Sequence, residues 1–223
     1  FASEFMASKT EEFWGKDSFR YEMLPNPFDV SKYTLSGSVG NYALFFGRLI
    51  DEKGVDILLD AALQVPDLPI FIIGDGPDKN KVEKLASATK NVKFLGPKWG
   101  RELNDLLRDC RFVVVPSLWH ENFPYVIFQA FAAGKPVLGS NRGGIPELVQ
   151  NGERGWIYEA SSSTALANSL RIAFEESDEA LELMGQAARC YLEDSFSDYG
   201  FYQRLIKIYK SVLPPEKAVS YAD

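Results

Sequence analysis

From residue 41 onward, short apolar runs alternate with stretches in which apolar residues recur at helical spacing. The apolar runs are rich in β-branched or aromatic residues and are bounded by Gly, Pro or Asn, which predicts strands. These strands are expected at residues 42–46, 70–73, 92–95, 112–115, 136–139 and 155–158. The amphipathic stretches predict helices at 55–62, 81–89, 102–109 and 123–133. Because unbroken apolar strands are buried on both faces, we expect an α/β domain with a Rossmann-like, doubly wound parallel sheet of about six strands.

The two ends of the chain have different patterns. The first 40 residues predict a helix at 5–14, a strand at 19–24, a connector at Pro25-Asn26-Pro27 and a flexible link at 36–40. After Tyr158 the pattern predicts only helices, at 164–176, 178–193 and 196–213, with a serine cap at 161–163 and a stop at Pro214-Pro215. The tail beyond is expected to be loose. We therefore divide the chain into residues 1–40, 41–195 and 196–223.

Composition excludes several classes of protein. The 223 residues carry a net charge of −7, with 24 basic and 31 acidic side chains and no basic stripe, which argues against a nucleic-acid-binding protein. No stretch approaches the roughly 20 apolar residues of a membrane span. Two cysteines and one histidine leave neither a disulfide framework nor a usual zinc site, and they favour a reducing, cytoplasmic compartment. Because the chain opens at Phe1 without a signal-peptide pattern, we interpret it as part of a longer protein.

Candidate chemistry follows the predicted strands. In an open parallel sheet, ligands bind beyond the carboxyl ends of the strands, and four of the five loops there carry glycine. Arg48 follows the first strand, and Lys53 comes five residues later at the start of a helix. A guanidinium can grip phosphate oxygens in bidentate fashion while a lysine adds a point charge, so the pair suits a diphosphate. Solvated surface cations are the alternative.

The loop after the fourth predicted strand is the richest in polar groups. Glu121 can accept hydrogen bonds from sugar hydroxyls, and the unpaired amides of the next helical turn form an anion site. Gln129 lies two turns further along and could face the same cleft. The alternatives are a helix-dipole charge for Glu121 and an internally satisfied amide for Gln129. His120, the one histidine of the sequence, neighbours this loop and is expected to be structural rather than catalytic. Gly74-Asp75-Gly76 lacks the third glycine of a dinucleotide fingerprint, which argues against NAD.

An ordered set of motifs carries a family resemblance. The set comprises Phe46-Gly47-Arg48-Leu49, Ile73-Gly74-Asp75-Gly76-Pro77, Pro116-Ser117, Glu121-Asn122-Phe123-Pro124, Gln129 and Gly143-Gly144-Ile145-Pro146-Glu147. With them the chain resembles the C-terminal, donor-binding domain of retaining GT-B glycosyltransferases of family 4, group 1. The resemblance implies that residues 1–40 are a remnant of the N-terminal domain with the interdomain connector. It also implies that the last helix crosses back to that missing domain.

The resemblance also implies roles for individual residues. Arg48 and Lys53 match residues that bind the donor diphosphate and stabilise the leaving nucleotide without metal or cofactor, and Glu121 matches a ligand of the donor sugar. We expect these three to be catalytic. Gln129 stands where the family has a second acid that binds the ribose, and Pro124 replaces a usual glycine. The expected donor-binding residues are Gly47, Gly96, Lys98, Asn122, Phe123, Pro124, Tyr125, Val126 and Gln129.

The implied function is transfer of a sugar from a UDP-, GDP- or ADP-linked donor to an acceptor, in cytoplasmic carbohydrate biosynthesis. Any peripheral attachment to a membrane would lie in the missing half. The chain alone is expected to bind donor, to transfer nothing, and to self-associate weakly through its last helix. Two alternatives stay open. A nucleotide-sugar epimerase is disfavoured by the spacing of Arg48, Lys53 and Glu121, whereas Gln129 favours a non-catalytic or degenerate nucleotide-sugar-binding module.

Overall fold

The computed structural model describes residues 1–35 and 37–213. Residue 36 of the predicted link, the predicted stop at Pro214-Pro215 and the predicted tail lie outside the described residues. None of the helices among the described residues is long and apolar enough to cross a membrane.

Six parallel strands form a single sheet in the described part of the chain. In chain order they are β1 Ala43–Arg48, β2 Ile70–Asp75, β3 Val92–Phe94, β4 Phe112–Val115, β5 Val137–Ser140 and β6 Gly155–Tyr158. They are arranged in the order β3-β2-β1-β4-β5-β6, and every neighbouring pair is parallel. The order reverses between β1 and β4, so the topology is doubly wound and confirms the predicted Rossmann-like fold.

Helices surround this sheet. They are α1 Glu4–Trp14, α2 Val55–Ala62, α3 Lys79–Ala88, α4 Gly100–Arg108, α5 Tyr125–Ala132, α6 Ile145–Val149, α7 Ser163–Glu175, α8 Asp178–Ser195 and α9 Asp198–Val212. Buried residues of α2, α3 and α7 form one core on one face of the sheet. Those of α4, α5, α6 and α8 form a second core on the other face. Successive side chains of β1 point to opposite faces of the sheet and so enter both cores. Phe45 belongs to the first core and its neighbour Phe46 to the second.

The helix caps show why the boundaries fall where they do. Ser162 precedes α7, and its side chain accepts a hydrogen bond from the amide of Ala165, as the serine run predicted. Ser177 and Ser197 cap α8 and α9 in the same way. The predicted apolar stripe of α9 does not enter either core, and no residue of this helix is buried.

The strand predicted at residues 19–24 is wrong. No strand among the described residues pairs with this segment, and its backbone makes isolated hydrogen bonds to the chain start: the amide of Leu24 donates to the carbonyl of Phe1 at 2.8 Å. Its aromatic residues pack on Phe1 instead, with ring centroids 6.1 Å away for Phe19 and 5.2 Å away for Tyr21. The apolar residues of this segment thus form an aromatic cluster rather than a strand of a sheet.

Lys135, just beyond α5, gives a testable effect on stability. Only 3% of the residue is exposed, and its ammonium donates to the carbonyl of Ser38 at 3.1 Å, with no ion pair among the described residues. Burial lowers the pKa of this ammonium, because desolvation penalises the charged form. Lys135→Met keeps the length and removes the charge, so we expect the free energy of unfolding at pH 7 to rise by about 1–3 kcal/mol.

The dependence on pH provides the check on this expectation. The pKa of Lys135 is lower in the folded chain than its ordinary 10.5, so the unfolded chain binds more protons between the two values. Wild-type stability therefore rises with pH through that window, and the advantage of the methionine variant shrinks. Urea denaturation at pH 7 and at pH 9.5 measures both effects. A methionine variant less stable than the wild type at pH 7 would contradict the expectation.

Candidate functional site

The cleft lies at the carboxyl edge of the sheet, where the strand order reverses between β1 and β4. It has a volume of about 340 Å³. Its lining residues are Phe46, Gly47, Arg48, Ile73, Gly74, Asp75, Pro97, Lys98, Trp99, Leu103, Val126 and Gln129. A smaller recess lined by Gly47, Lys53, Ser117 and Val126 adjoins it. Crevices of this kind are where open α/β sheets bind their ligands.

Arg48 is the last residue of β1, two residues beyond the predicted end of that strand. It pairs in register with Asp75, the last residue of β2. The two strand ends lie so close that a Cβ on Gly74 would overlap the carbonyl oxygen of Gly47. The amide of Leu49 also donates to the carbonyl of Asp75 at 2.9 Å. Arg48 is exposed at this edge and forms no ion pair within the described ranges, so its guanidinium is available to a ligand.

Lys53 and Glu121 form an ion pair beside the cleft. Their side chains are 33% and 13% exposed, so water screens this pair only in part. Ser117 also donates to the same carboxylate oxygen, at 2.8 Å. The fold thus brings the ammonium of Lys53 and the carboxylate of Glu121, which are 68 residues apart in the sequence, into contact.

Backbone contacts hold the two loops of this ion pair together. Lys53 ends a 3₁₀ turn, Asp51–Lys53, and Gly54 follows it with φ at 68°. A side chain at Gly54 would overlap the carbonyl oxygen of Pro116 in the loop after β4. The amide of Leu118 donates to the carbonyl of Glu52 at 2.8 Å. Only glycine tolerates both the left-handed conformation and this close approach.

The first turn of α5 opens toward the cleft. Pro124 precedes the helix, and no side chain in the described part of the chain caps its first amides. Val126 and Gln129 lie one turn apart and both line the cleft. Gln129 therefore lines the same cleft as Arg48. Its amide nitrogen donates to the hydroxyl of Tyr33 at 3.0 Å.

Other predicted donor-binding residues turn their side chains away from the cleft. The side-chain oxygen of Asn122 accepts from the hydroxyl of Ser3. Phe123 stacks on Phe128 at 4.1 Å, inside the second core, and Tyr125 packs edge-on against Phe123 at 5.6 Å. Near the cleft these residues can offer only their backbone. Gly96 is a turn glycine with φ at 66°, and its carbonyl accepts from the amide of Gly74 at 3.1 Å.

The helix α1 packs behind the Glu121 loop. The ring of His120 lies 5.3 Å from that of Phe5, so the histidine faces α1 and not the cleft. The amide of Phe5 donates to Glu147 at 3.1 Å. Burial raises the pKa of Glu147, although this hydrogen bond opposes the shift. This position against α1 agrees with the structural role that the sequence predicts for His120.

The predicted site residues did not include Trp99 and Asp75, which line the cleft, or Tyr33, which contacts the cleft residue Gln129. Trp99 is 71% exposed at the rim, next to Lys98, whose ammonium pairs with Glu102 at 3.0 Å. Asp75 ends β2 and faces Arg48 across the strand pair. Tyr33 reaches Gln129 from outside the predicted domain. An exposed aromatic directly after the loop 96–98 was the signal for Trp99, whereas no local signal marked Tyr33.

Comparison with known proteins identifies the family. The family model described as glycosyl transferases group 1 matches residues 34–190, more than half of the chain. The chain belongs to the group 1 glycosyl transferases. This confirms the predicted family and the predicted transferase class of enzyme.

Individual group 1 and related proteins show how far the similarity extends. An uncharacterized glycosyltransferase of Methanocaldococcus jannaschii is 34% identical over 132 residues, which cover 58% of this chain and 37% of that protein. A glycosyltransferase structure from Rickettsia africae matches with a TM-score of 0.84 at 20% identity, over 96% of this chain and 63% of that one. Anabaena HepE, solved with UDP and glucose, matches with a TM-score of 0.76 at 25% identity, over 95% of this chain and 62% of that one.

This group 1 chain is short beside its relatives. It spans 37% of the Methanocaldococcus jannaschii protein and less than two thirds of each of the two solved chains. The fold match to the Rickettsia africae structure covers nearly all of the present chain. The similarity therefore concerns the region of the larger proteins that aligns with this chain and not their whole length.

Proposed function

We propose that this chain is the donor-binding half of a retaining glycosyltransferase that uses a nucleoside-diphosphate sugar. One observation carries the proposal. Arg48 and Gln129 line a single cleft at the switch point of the sheet, and the Lys53–Glu121 ion pair stands beside it. The cleft thus offers cations for a diphosphate and acceptors for hydroxyls within one site.

In the proposed reaction, Arg48 and Lys53 bind the diphosphate and stabilise the negative charge that develops on the leaving nucleotide. Fixed cations aimed at developing charge are an effective way to lower such a barrier. Glu121 accepts hydrogen bonds from the donor sugar once Lys53 turns to the phosphates. The uncapped amides of Tyr125 and Val126 at the start of α5 face the anionic end of the donor. The loop around Gly96 and Lys98 lies near the base, and we propose no metal or other cofactor.

The proposed half-site requires a second domain for the acceptor. The chain spans only 37% of the Methanocaldococcus jannaschii relative, which supports assigning the acceptor site to the remainder of a longer protein. We propose that residues 1–26 belong to the end of that domain and that α9 crosses back toward it. Three aromatic residues of α9 are more than half exposed, which supports both this contact and a weak self-association of the isolated chain: Tyr199, Tyr202 and Tyr209.

Calorimetric titration of the chain with UDP, GDP and ADP tests the proposal. We expect one nucleotide to bind with one site per chain and the same affinity in EDTA. At 100 times its dissociation constant it adds about 2.7 kcal/mol to the free energy of unfolding, so a thermal melt provides a second readout. The matching sugar nucleotide should bind and stay uncleaved. Binding of none of the three would contradict a self-sufficient donor site and favour the degenerate module, for which Gln129 is the specific observation.

A further inference from the structure

A second cavity lies at the amino edge of the sheet, opposite the cleft described above. It has a volume of about 260 Å³, and the residues that directly precede β4 and β5, Arg111 and Pro136, line it. The turn after α5 and one side of α8 form further walls, with Lys135 and Glu182 among the lining residues. One water molecule needs only about 10–15 Å³ of such space, so the cavity has room for a small ligand.

Lys135 gives this cavity a buried positive charge. Only 3% of the residue is exposed, and the carbonyl of Ser38, at 3.1 Å, is the one acceptor that its ammonium has among the described residues. An ammonium carries three N–H donors, so the full charge and two of its donors have no protein partner in this part of the chain. A bound anion would supply what is lacking.

The other groups near Lys135 do not neutralise it. Burial raises the pKa of the Cys110 thiol to about 12, so this group is uncharged at pH 7. The carboxylate of Asp109 pairs with Arg108 at 2.8 Å. Glu182 is exposed at the cavity wall and forms no ion pair with Lys135. Lys135 thus breaks the rule that buried charges are paired, and proteins break such rules mainly at functional sites.

Arg111 adds a second positive charge to the same cavity. Its side chain is 13% exposed and pairs with Asp178 at 2.9 Å, but 68% of that acidic side chain is exposed, so water screens the pair. The Nε of Arg111 is buried and has no hydrogen-bond partner in the described part of the chain. The two cations that line the cavity are therefore both short of acceptors.

We propose that this cavity binds a phosphate group, either free or carried by a small molecule, with Lys135 as its main ligand and Arg111 as the second cation. A phosphate monoester carries a charge of about −1.5 to −2 at pH 7, which matches two cations, whereas a carboxylate matches one. The site is separate from the proposed diphosphate site, because the two lie at opposite edges of the sheet.

NMR titration with inorganic phosphate at constant ionic strength tests this site. The chain for the test carries Arg48→Ala and Lys53→Ala, which removes the cations of the other cleft. We expect saturable shifts of the amide resonances of Val39 and Gly185, which line the cavity. Glycerol 3-phosphate carries the same group, and the tighter of the two ligands identifies whether the site takes free phosphate or a monoester.

Lys135→Met should weaken the binding of phosphate at least about 10-fold, because it removes a hydrogen bond between two charged groups. This variant is expected to be more stable than the wild type, so a loss of binding would not reflect unfolding. Shifts that grow linearly with phosphate, without saturation, would overturn the inference. An affinity that survives Lys135→Met would overturn it as well.

A matched pair of acidic variants checks that the effect is local. Glu182→Gln removes a negative charge from the cavity wall and should tighten the binding of phosphate about two- to fivefold. Glu83→Gln removes the same charge from an exposed position on α3 and should leave the affinity unchanged. Equal affinities of the two variants would contradict the site. The proposed function would stand in every such case, since nucleoside diphosphates test it at the other edge of the sheet.

Discussion

A chain carrying Arg48→Ala and Lys53→Ala should lose at least about 100-fold in affinity for its nucleoside diphosphate. Hydrogen bonds to charged groups contribute about 1.5–3 kcal/mol each, and about 1.4 kcal/mol corresponds to a factor of ten in the dissociation constant. Arg48 should account for more of the loss than Lys53. Its guanidinium has no ion-pair partner among the described residues, whereas Lys53 must first leave Glu121. Calorimetry of the double variant and of both single variants measures this division.

A charge-matched control keeps this result specific to the site. Arg20→Ala with Lys84→Ala removes the same two charges from exposed positions outside the cleft. We expect this control to bind the nucleotide within about twofold of the wild type, because charges beyond a Debye length of about 8 Å are largely screened at physiological salt. Retention of affinity by the Arg48/Lys53 variant would show that the diphosphate lies elsewhere. An equal loss in the control would assign the effect to the net charge of the chain.

Local sequence patterns predict much of the fold. The wrong prediction of a strand at residues 19–24 shows where such patterns are insufficient. The strands at 112–115 and 155–158 were predicted with the bounds that the structure gives them, because short apolar runs between turn residues are typical of buried parallel strands. The segment 19–24 has a similar composition but forms no strand. A strand forms only beside another strand, and the local sequence of a segment does not show whether such a partner strand is present.

The candidate site likewise could be predicted from the sequence only in part. Arg48 and Gln129 could be predicted to share a cleft because the carboxyl ends of parallel strands meet at one edge of the sheet. The outward turn of Asn122 could not be predicted, since it depends on Ser3, the residue that caps α1 ahead of the domain. Tyr33 was missed for the same reason. Its contacts with Phe28 and Gln129 join distant parts of the chain, and no local pattern predicts them.

Close backbone contacts at glycines in two loops hold the Glu121 loop in position. Besides the contact at Gly54, the loop after β5 packs directly on the Glu121 backbone, where the amide of Gly144 donates to the carbonyl of Glu121 at 2.6 Å. A Cβ on Gly143, whose φ is 57°, would overlap both the nitrogen and the oxygen of that residue. The acid that we propose as the sugar ligand is thus held by backbone on two sides.

Gly143→Ala should therefore lower the free energy of unfolding by about 3–5 kcal/mol, at the large end of single substitutions. Gly152→Ala is the matched control. Gly152 also has a left-handed φ, 85°, but a Cβ there meets nothing within 4 Å, so alanine incurs only the backbone cost of about 1–2 kcal/mol. Urea denaturation of both variants separates the conformational cost from the clash. Equal destabilisation would mean that the Glu121 loop yields freely, and a loop that yields freely could not hold a carboxylate in place for a donor sugar.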